Sequence, residues 1–240
     1  DRGRLSAHLA ALYPKHRFPI THAAPAKGPA IWLGTPRTLP ELGHHVAAPV
    51  VAIPDSFVVK AKQGQAAYIA GADERGALYA VYALLEKLGF GFYLSYTAKP
   101  EARDGAFTFE GWDLQDTPLF PDRLVFDWHN FLSSCSTWEW EDWQLYVNQA
   151  SRMRYSAIMV HAYGNNPMFR FSFNGQTKPV GYLATSVRGR DWGTEHVNDV
   201  RRLHGGELFH APVFAASHAL GMTEDERAEA KIALMKRVFR

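Results

Sequence analysis

The chain has 240 residues, of which 47% are hydrophobic and 21% are charged, and its formal net charge at pH 7 is +2. This composition is typical of a folded globular protein and excludes overall disorder. The basic residues are scattered among acidic ones, so we expect no nucleic-acid partner. No apolar run reaches the length that a bilayer span requires, and we expect no membrane partner.

The sequence offers little support for a metal or cofactor site. Its one cysteine, Cys135, excludes an internal disulfide and a multi-cysteine metal site. The histidines show no ligand spacing such as His-Glu-x-x-His, and there is no glycine-rich phosphate-binding loop. We therefore expect neither metal nor cofactor. Because the chain starts at Asp1 without a signal segment, we interpret it as a processed chain of a secreted or periplasmic protein.

The first half of the sequence predicts a small α/β domain. Apolar residues at helical spacing predict a helix from Leu5 to Leu12. Short apolar runs predict strands at Ala30–Gly34, Ser56–Lys60, Ala66–Ala70, Phe90–Leu94 and Ala106–Phe109, with a hairpin turn at Gln63-Gly64-Gln65. Strands and two helices within about 110 residues indicate an α/β sandwich.

The strongest local signal is a helix between Asp73 and Gly89. An apolar stripe at helical spacing comprises Ala77, Leu78, Val81, Leu84, Leu85 and Leu88. Asp73 is placed to cap the N-terminus of this helix, and Gly89 suits the left-handed position just past its C-terminus.

The second half predicts a different organisation. Two prolines in Thr117-Pro118-Leu119-Phe120-Pro121 indicate a linker, so we predict domains at residues 1–116 and 117–240. A strand at Arg123–Asp127, a helix at Glu139–Met153 and a strand at Ser156–His161 predict a βαβ unit on a parallel sheet. An irregular stretch is predicted from Pro167 to Gly221, and a capping box at Thr223–Glu226 predicts a last helix.

That last helix has no further parallel strand to pack against within the sequence. Two parallel strands can neither close a barrel nor bury both faces of a sheet. We therefore expect the chain to be a fragment, completed by the rest of its own polypeptide or by another copy in a homo-oligomer.

Three segments resemble parts of known carbohydrate-active enzymes. The helix Asp73-Glu74-Arg75-Gly76-Ala77-Leu78-Tyr79 through Leu88-Gly89-Phe90 resembles one in an accessory domain. That domain precedes the catalytic barrel in α-glucuronidases of glycoside hydrolase family 67 and in β-N-acetylhexosaminidases. Arg123-Leu124-Val125-Phe126-Asp127-Trp128-His129-Asn130 looks like the family's first barrel strand, with Asp127 and His129 where the family has His and Asp. The helix from Trp140 to Met153 is similar to the first barrel helix.

The resemblance implies a particular fold and site. The fold would be an accessory α/β sandwich followed by the first βαβα part of a TIM (β/α)₈ barrel, incomplete in this chain. The catalytic and substrate-binding residues of such barrels follow the carboxyl ends of the strands. The implied substrate-binding residues are Asp127, Trp128, His129 and Asn130 after the first strand, and His161, Tyr163 and Asn165 after the second. Trp128 and His161 fit a buried core position equally well.

The predicted function is hydrolysis of O-glycosyl bonds in a polysaccharide or its oligosaccharides, with α-glucuronidase as the narrower expectation. Such chemistry needs two carboxyl groups. Asp127 is the only carboxylate at a predicted strand end, and the resembled families take theirs from later strands. We therefore assign no catalytic residue and expect the fragment to be inactive alone. Alternatives are a non-catalytic carbohydrate-binding or assembly module, or another barrel enzyme such as a polysaccharide lyase or deacetylase.

Overall fold

A computed structural model describes residues 2–22, 28–40, 42, 53–62, 64–127, 138–160, 169–180 and 224–240. Within these residues the helices are α1 (Arg2–Leu12), α2 (Glu74–Lys87), α3 (Trp140–Arg152) and α4 (Glu224–Val238). The strands are β1 (Ala30–Gly34), β2 (Phe57–Lys62), β3 (Ala66–Gly71), β4 (Gly91–Tyr93), β5 (Tyr96–Ala98), β6 (Asp113–Asp116), β7 (Leu124–Asp127), β8 (Ala157–Val160), β9 (Phe169–Phe173) and β10 (Gln176–Val180). The predicted mixed α/β class is confirmed. The described residues form no closed barrel, so the barrel remains a prediction.

A four-stranded mixed sheet organises the first unit of the chain. Its strand order is β1-β3-β2-β6, with β1 parallel to β3 and the other neighbours antiparallel. Successive side chains of a strand point to opposite faces. Phe57, Val59, Ala67 and Ile69 therefore enter the core that α1 and α2 cover, while Val58 and Ala70 pack with Leu42 on the other face.

Helix α2 has the predicted boundaries because both of its ends are capped. Asp73 has an extended backbone, and its side chain accepts a hydrogen bond from Gly76 N at 2.7 Å. At the other end Gly89 takes a φ of +107°, and its N–H donates to the carbonyl of Glu86. That φ suits glycine because it has no Cβ. The predicted apolar stripe lies in the core, with Leu78 only partly buried.

One predicted strand in this unit was wrong, and two strands were not predicted. Residues 106–109 form no strand, and Phe107 and Phe109 instead pack edge-to-face at 5.3 Å in the core. Strand β6 was missed, although it extends the sheet along β2 and pairs Lys60 with Asp113. Strand β5 was also missed; it forms a hairpin with β4.

The second unit contains a parallel pair, β7 and β8, with Asp127 opposite Val160. Trp143 of α3 and Met235 of α4 are almost fully buried, against Ile158 and Val160. The predicted strand, helix, strand order and the last helix are therefore confirmed. The prediction of irregular chain from Pro167 was wrong in part, since β9 and β10 form an antiparallel hairpin there.

The chain contacts divide the molecule into one unit of residues 1–123 and 149–156 and another of residues 124–148 and 157–240. The domain boundary after residue 116 stays a prediction. Among the described helices, none combines the length and apolar character needed to cross a membrane.

Candidate functional site

The described part of the predicted site is the carboxyl edge of β7 and β8. The two strands are parallel and in register from Leu124 opposite Ala157 to Asp127 opposite Val160. They therefore end side by side, at the edge where barrel enzymes carry their working residues. Each strand leads directly into one of the two predicted polar and aromatic segments, Trp128-His129-Asn130 and the segment that begins with His161.

The predicted residues themselves are only partly within the structure. Asp127 is the last residue of β7, and its backbone is described. The other six, Trp128, His129, Asn130, His161, Tyr163 and Asn165, lie outside the described residues. Their roles stay predictions.

A second polar site lies in the first unit and was not predicted. We call it the Asp55 cluster, and it comprises Asp55, Asp73, Arg75, Tyr79 and Arg123. The Asp55 side chain is 2% exposed and pairs with Arg75 Nε at 2.8 Å and Arg123 Nη2 at 2.7 Å. Its backbone has a φ of +66°, and its N–H donates to Asp73 Oδ2 at 3.0 Å. Asp tolerates this left-handed conformation better than most residues.

Arg123 joins three chain segments within this cluster. Its Nη2 donates to Asp55, its Nε donates to the Arg154 carbonyl at 2.9 Å, and its Nη1 donates to the carbonyls of Phe120 and Pro121. Burial works against the charged form of Arg123, but the hydrogen bond and charge of Asp55 outweigh it and raise its pKa. The guanidinium is thus a permanent cation whose hydrogen-bonding groups are engaged by the protein itself.

Tyr79 lies beneath that guanidinium, with Arg123 Cζ 5.5 Å from its ring centroid. Its hydroxyl donates to the Tyr155 carbonyl at 3.0 Å. Burial raises the pKa of Tyr79, and the negative charge of Asp55 raises it further against the opposing effect of Arg123. Tyr79 is therefore a neutral hydrogen-bond donor near pH 7 and not a base.

A cavity of about 320 Å³ opens beside this cluster. Its lining comprises Asp55, Phe57, Tyr79, Asp116, Pro118, Arg123, Met153, Arg154 and Tyr155. Both carboxylate oxygens of Asp55 are already paired with guanidinium groups, those of Arg75 and Arg123, so the carboxyl group is not free to act on a substrate in the cavity. Arg154 in turn pairs with Glu86 at 2.5 Å. The arrangement suits a structural ion-pair network better than a catalytic centre.

The cluster explains why the helix motif has its particular residues. Arg75 pairs with Asp55, Tyr79 bonds to the Tyr155 carbonyl, and Asp73 caps the helix. Gly76 is needed because a Cβ there would lie 2.4 Å from the Ser56 carbonyl oxygen. The helix motif is visible in the sequence, but its partner Asp55 is not. Asp55 follows Pro54 in a turn whose sequence gives no sign of the pairing.

No group of three or more His, Cys, Asp and Glu suited to a metal ion occurs among the residues that the structure describes. Comparison with protein-family models gave no match for the chain. Comparison with curated proteins likewise gave none.

Proposed function

We propose that the protein is a glycoside hydrolase that acts on a polysaccharide or its oligosaccharides. The observation that carries this proposal is the in-register parallel pair β7 and β8. Its carboxyl ends lie side by side, and each leads directly into a segment rich in aromatic, amide and imidazole side chains. Parallel strands joined by a helix are the repeating unit of a (β/α)₈ barrel, whose sites form at this edge.

The side-chain chemistry after these strands suits a sugar. The rings of Trp128 and Tyr163 offer flat apolar faces to the C–H groups of a pyranose. The amides of Asn130 and Asn165 can donate and accept hydrogen bonds with its hydroxyls. His129 and His161 would add further hydrogen bonds, and Asp127 would accept from a hydroxyl as a carboxylate.

The sequence resemblance of α2 to the accessory-domain helix gives separate support to the proposal. In this helix Arg75 pairs with Asp55, and the Tyr79 hydroxyl donates to the Tyr155 carbonyl. Gly76 lies where a Cβ would clash with the Ser56 carbonyl oxygen. These contacts give three members of the motif a structural role beyond apolar periodicity, and this supports the proposal. In the resembled families the catalytic carboxyls follow later barrel strands, and we propose that they lie outside these 240 residues.

The test is turnover by the full-length polypeptide on aryl glycosides and on polysaccharides, with glucuronoxylan first in the panel. We expect new reducing ends to be released. Trp128→Ala and Asn130→Ala should each lower kcat/KM at least tenfold, because each removes contacts with the reacting sugar. Phe120→Ala, which removes an aromatic side chain that is 64% exposed in the other unit, is the matched control.

Other outcomes would contradict the proposal in distinct ways. An unsaturated product that absorbs ultraviolet light would indicate a lyase. Acetate release that a chelator abolishes would indicate a metal-dependent deacetylase. Saccharide binding by the full-length polypeptide without any turnover would indicate a binding module. Turnover by these 240 residues alone would refute the placement of the catalytic acids elsewhere.

A further inference from the structure

The β4–β5 hairpin presents two exposed tyrosine rings. Tyr93 and Tyr96 are register partners across a two-residue connection, Leu94-Ser95. Their ring centroids lie 4.7 Å apart at an interplanar angle of 21°, so the rings are stacked. Tyr93 is 47% exposed and Tyr96 is 55% exposed. We call this pair of rings the tyrosine platform.

The backbone beneath the tyrosine platform is fixed by a buried side chain. Gln149 is fully buried, and its Nε2 donates to the carbonyls of Tyr93 at 2.6 Å and Tyr96 at 2.5 Å. Arg152 Nη1 donates to the Gln149 Oε1 atom at 2.6 Å and to Thr97 Oγ1 at 3.0 Å. The hairpin is therefore held before any ligand arrives, and this lowers the entropy cost of binding.

Gly91 positions the first of the two rings. A Cβ at this residue would lie 2.9 Å from Tyr93 Cε2 and 3.2 Å from Tyr93 Oη. The ring of Tyr93 therefore lies against the bare backbone of Gly91. A larger residue at this position would push the ring away and disturb the stack with Tyr96.

The size and charge of the tyrosine platform limit what it can bind. Half-exposed tyrosines offer on the order of 100 Å² each, whereas a stable protein interface needs about 800 Å² per partner. One sugar ring needs only an aromatic face and nearby hydrogen-bonding groups. Residues 93–98 carry no charge, and the hydroxyls of Tyr93, Ser95 and Tyr96 suit a neutral, hydroxyl-rich ligand. The Thr97 hydroxyl is instead bonded to Arg152.

We propose that the tyrosine platform binds an uncharged sugar unit of a polysaccharide. The inference rests on the proposed function for the class of ligand, but it concerns a binding surface in the first unit and no catalytic step. Tyr96, the more exposed ring, would stack on the C–H face of the sugar, and the hydroxyls of both tyrosines would bond to its hydroxyls.

The experiment is native electrophoresis of the full-length polypeptide in gels that contain soluble glucuronoxylan, glycol chitin or hydroxyethyl cellulose. We expect retardation in at least one gel. Tyr96→Ala should weaken the apparent affinity about tenfold, the scale of one aromatic contact. Tyr96→Phe should keep most of it, and Gly91→Ala should lower it by moving the Tyr93 ring. Phe120→Ala is again the matched control.

The outcomes separate this proposal from the hydrolase. Retardation that Tyr96→Ala leaves unchanged would overturn the tyrosine platform, even if the polypeptide hydrolyses glycosides. Tyrosine-dependent retardation without hydrolysis would uphold the platform while the hydrolase fails. Absence of retardation in all three gels would overturn the proposed sugar binding by the tyrosine platform. Tyr96-dependent binding to phosphatidylcholine vesicles, without binding to any of the three polysaccharides, would overturn it as well.

Discussion

Replacing Gly76 by Ala should destabilise the protein, although Ala is the better helix former. In an exposed helix interior this change gains about 1 kcal/mol. At Gly76 the new Cβ would lie 2.4 Å from Ser56 O, 3.3 Å from Asp55 C and 3.3 Å from Gly71 Cα. These are backbone atoms, so no rotamer change can relieve the contacts. Helix α2 would have to move by about 1 Å, and overpacking of this kind costs about 1–3 kcal/mol.

The net expectation is a loss of up to about 2 kcal/mol in the free energy of unfolding. Urea denaturation followed by tryptophan fluorescence measures it, since Trp112 is buried in the same core as α2. Gly3→Ala is the matched control, because a Cβ at this helical glycine would have no neighbour within 4 Å. Gly3→Ala should leave stability unchanged or raise it by a few tenths of a kcal/mol. A Gly76→Ala protein at least as stable as the wild type would refute the close approach of α2 to Ser56.

Changes at three further residues probe other features of the first unit. Asp55→Ala removes the partner that Arg75 and Arg123 share, and it should lower the free energy of unfolding by about 3 kcal/mol. This is the low end of the range for a buried ion pair, because Arg75 is half exposed. Asp55→Asn, which keeps the shape, should cost less by the same urea assay. Gln149→Met leaves two hairpin carbonyls without their buried donor. It should lower the free energy of unfolding by about 2 kcal/mol, measured by urea denaturation. Burial lowers the pKa of His8 in the folded state. As the pH drops below about 6.5, the unfolded state therefore binds more protons than the folded state, and the free energy of unfolding should fall. His8→Gln should flatten this part of the pH profile, and an unchanged slope would contradict the assignment.

Elements whose boundaries are encoded locally were predictable. Helix α2 combines a continuous apolar stripe, an Asp cap and a terminal glycine, so local and tertiary preferences agree. The short strands β7 and β8 were predictable for a related reason, since each is an apolar run followed by polar residues.

Elements that depend on tertiary pairing were not predictable. Strand β6 reads Asp-Leu-Gln-Asp, which has little strand propensity and forms only because β2 offers an edge. The hairpin of β4 and β5 turns through Leu94-Ser95, which lacks the Asn-Gly type of signal. Phe107 and Phe109 alternate as in a strand, yet their rings pack around Trp112 and their backbone has no ladder partner.

The candidate site divides in the same way. The shared carboxyl edge of β7 and β8 followed from the sequence, which predicted parallel strands ending at Asp127 and His161. The described part of this pair reaches Asp127 opposite Val160. The Asp55 cluster did not, because its members are distant in the chain and only the folded structure brings Asp55 to Arg123. The tyrosine platform depends in the same way on Gln149, more than 50 residues away in sequence.

The first unit is discontinuous in sequence, and this has a consequence for its synthesis on the ribosome. It is completed by residues 149–156, which supply Gln149 to the hairpin and the Tyr155 carbonyl to Tyr79. When residue 123 has been made, 33 more residues must follow before these bonds can form, which takes about 2–7 s at ordinary translation rates. During that interval the hairpin carbonyls lack their donor. A nascent chain arrested just after residue 123 has emerged should therefore be more sensitive to protease than one arrested after residue 156 has emerged.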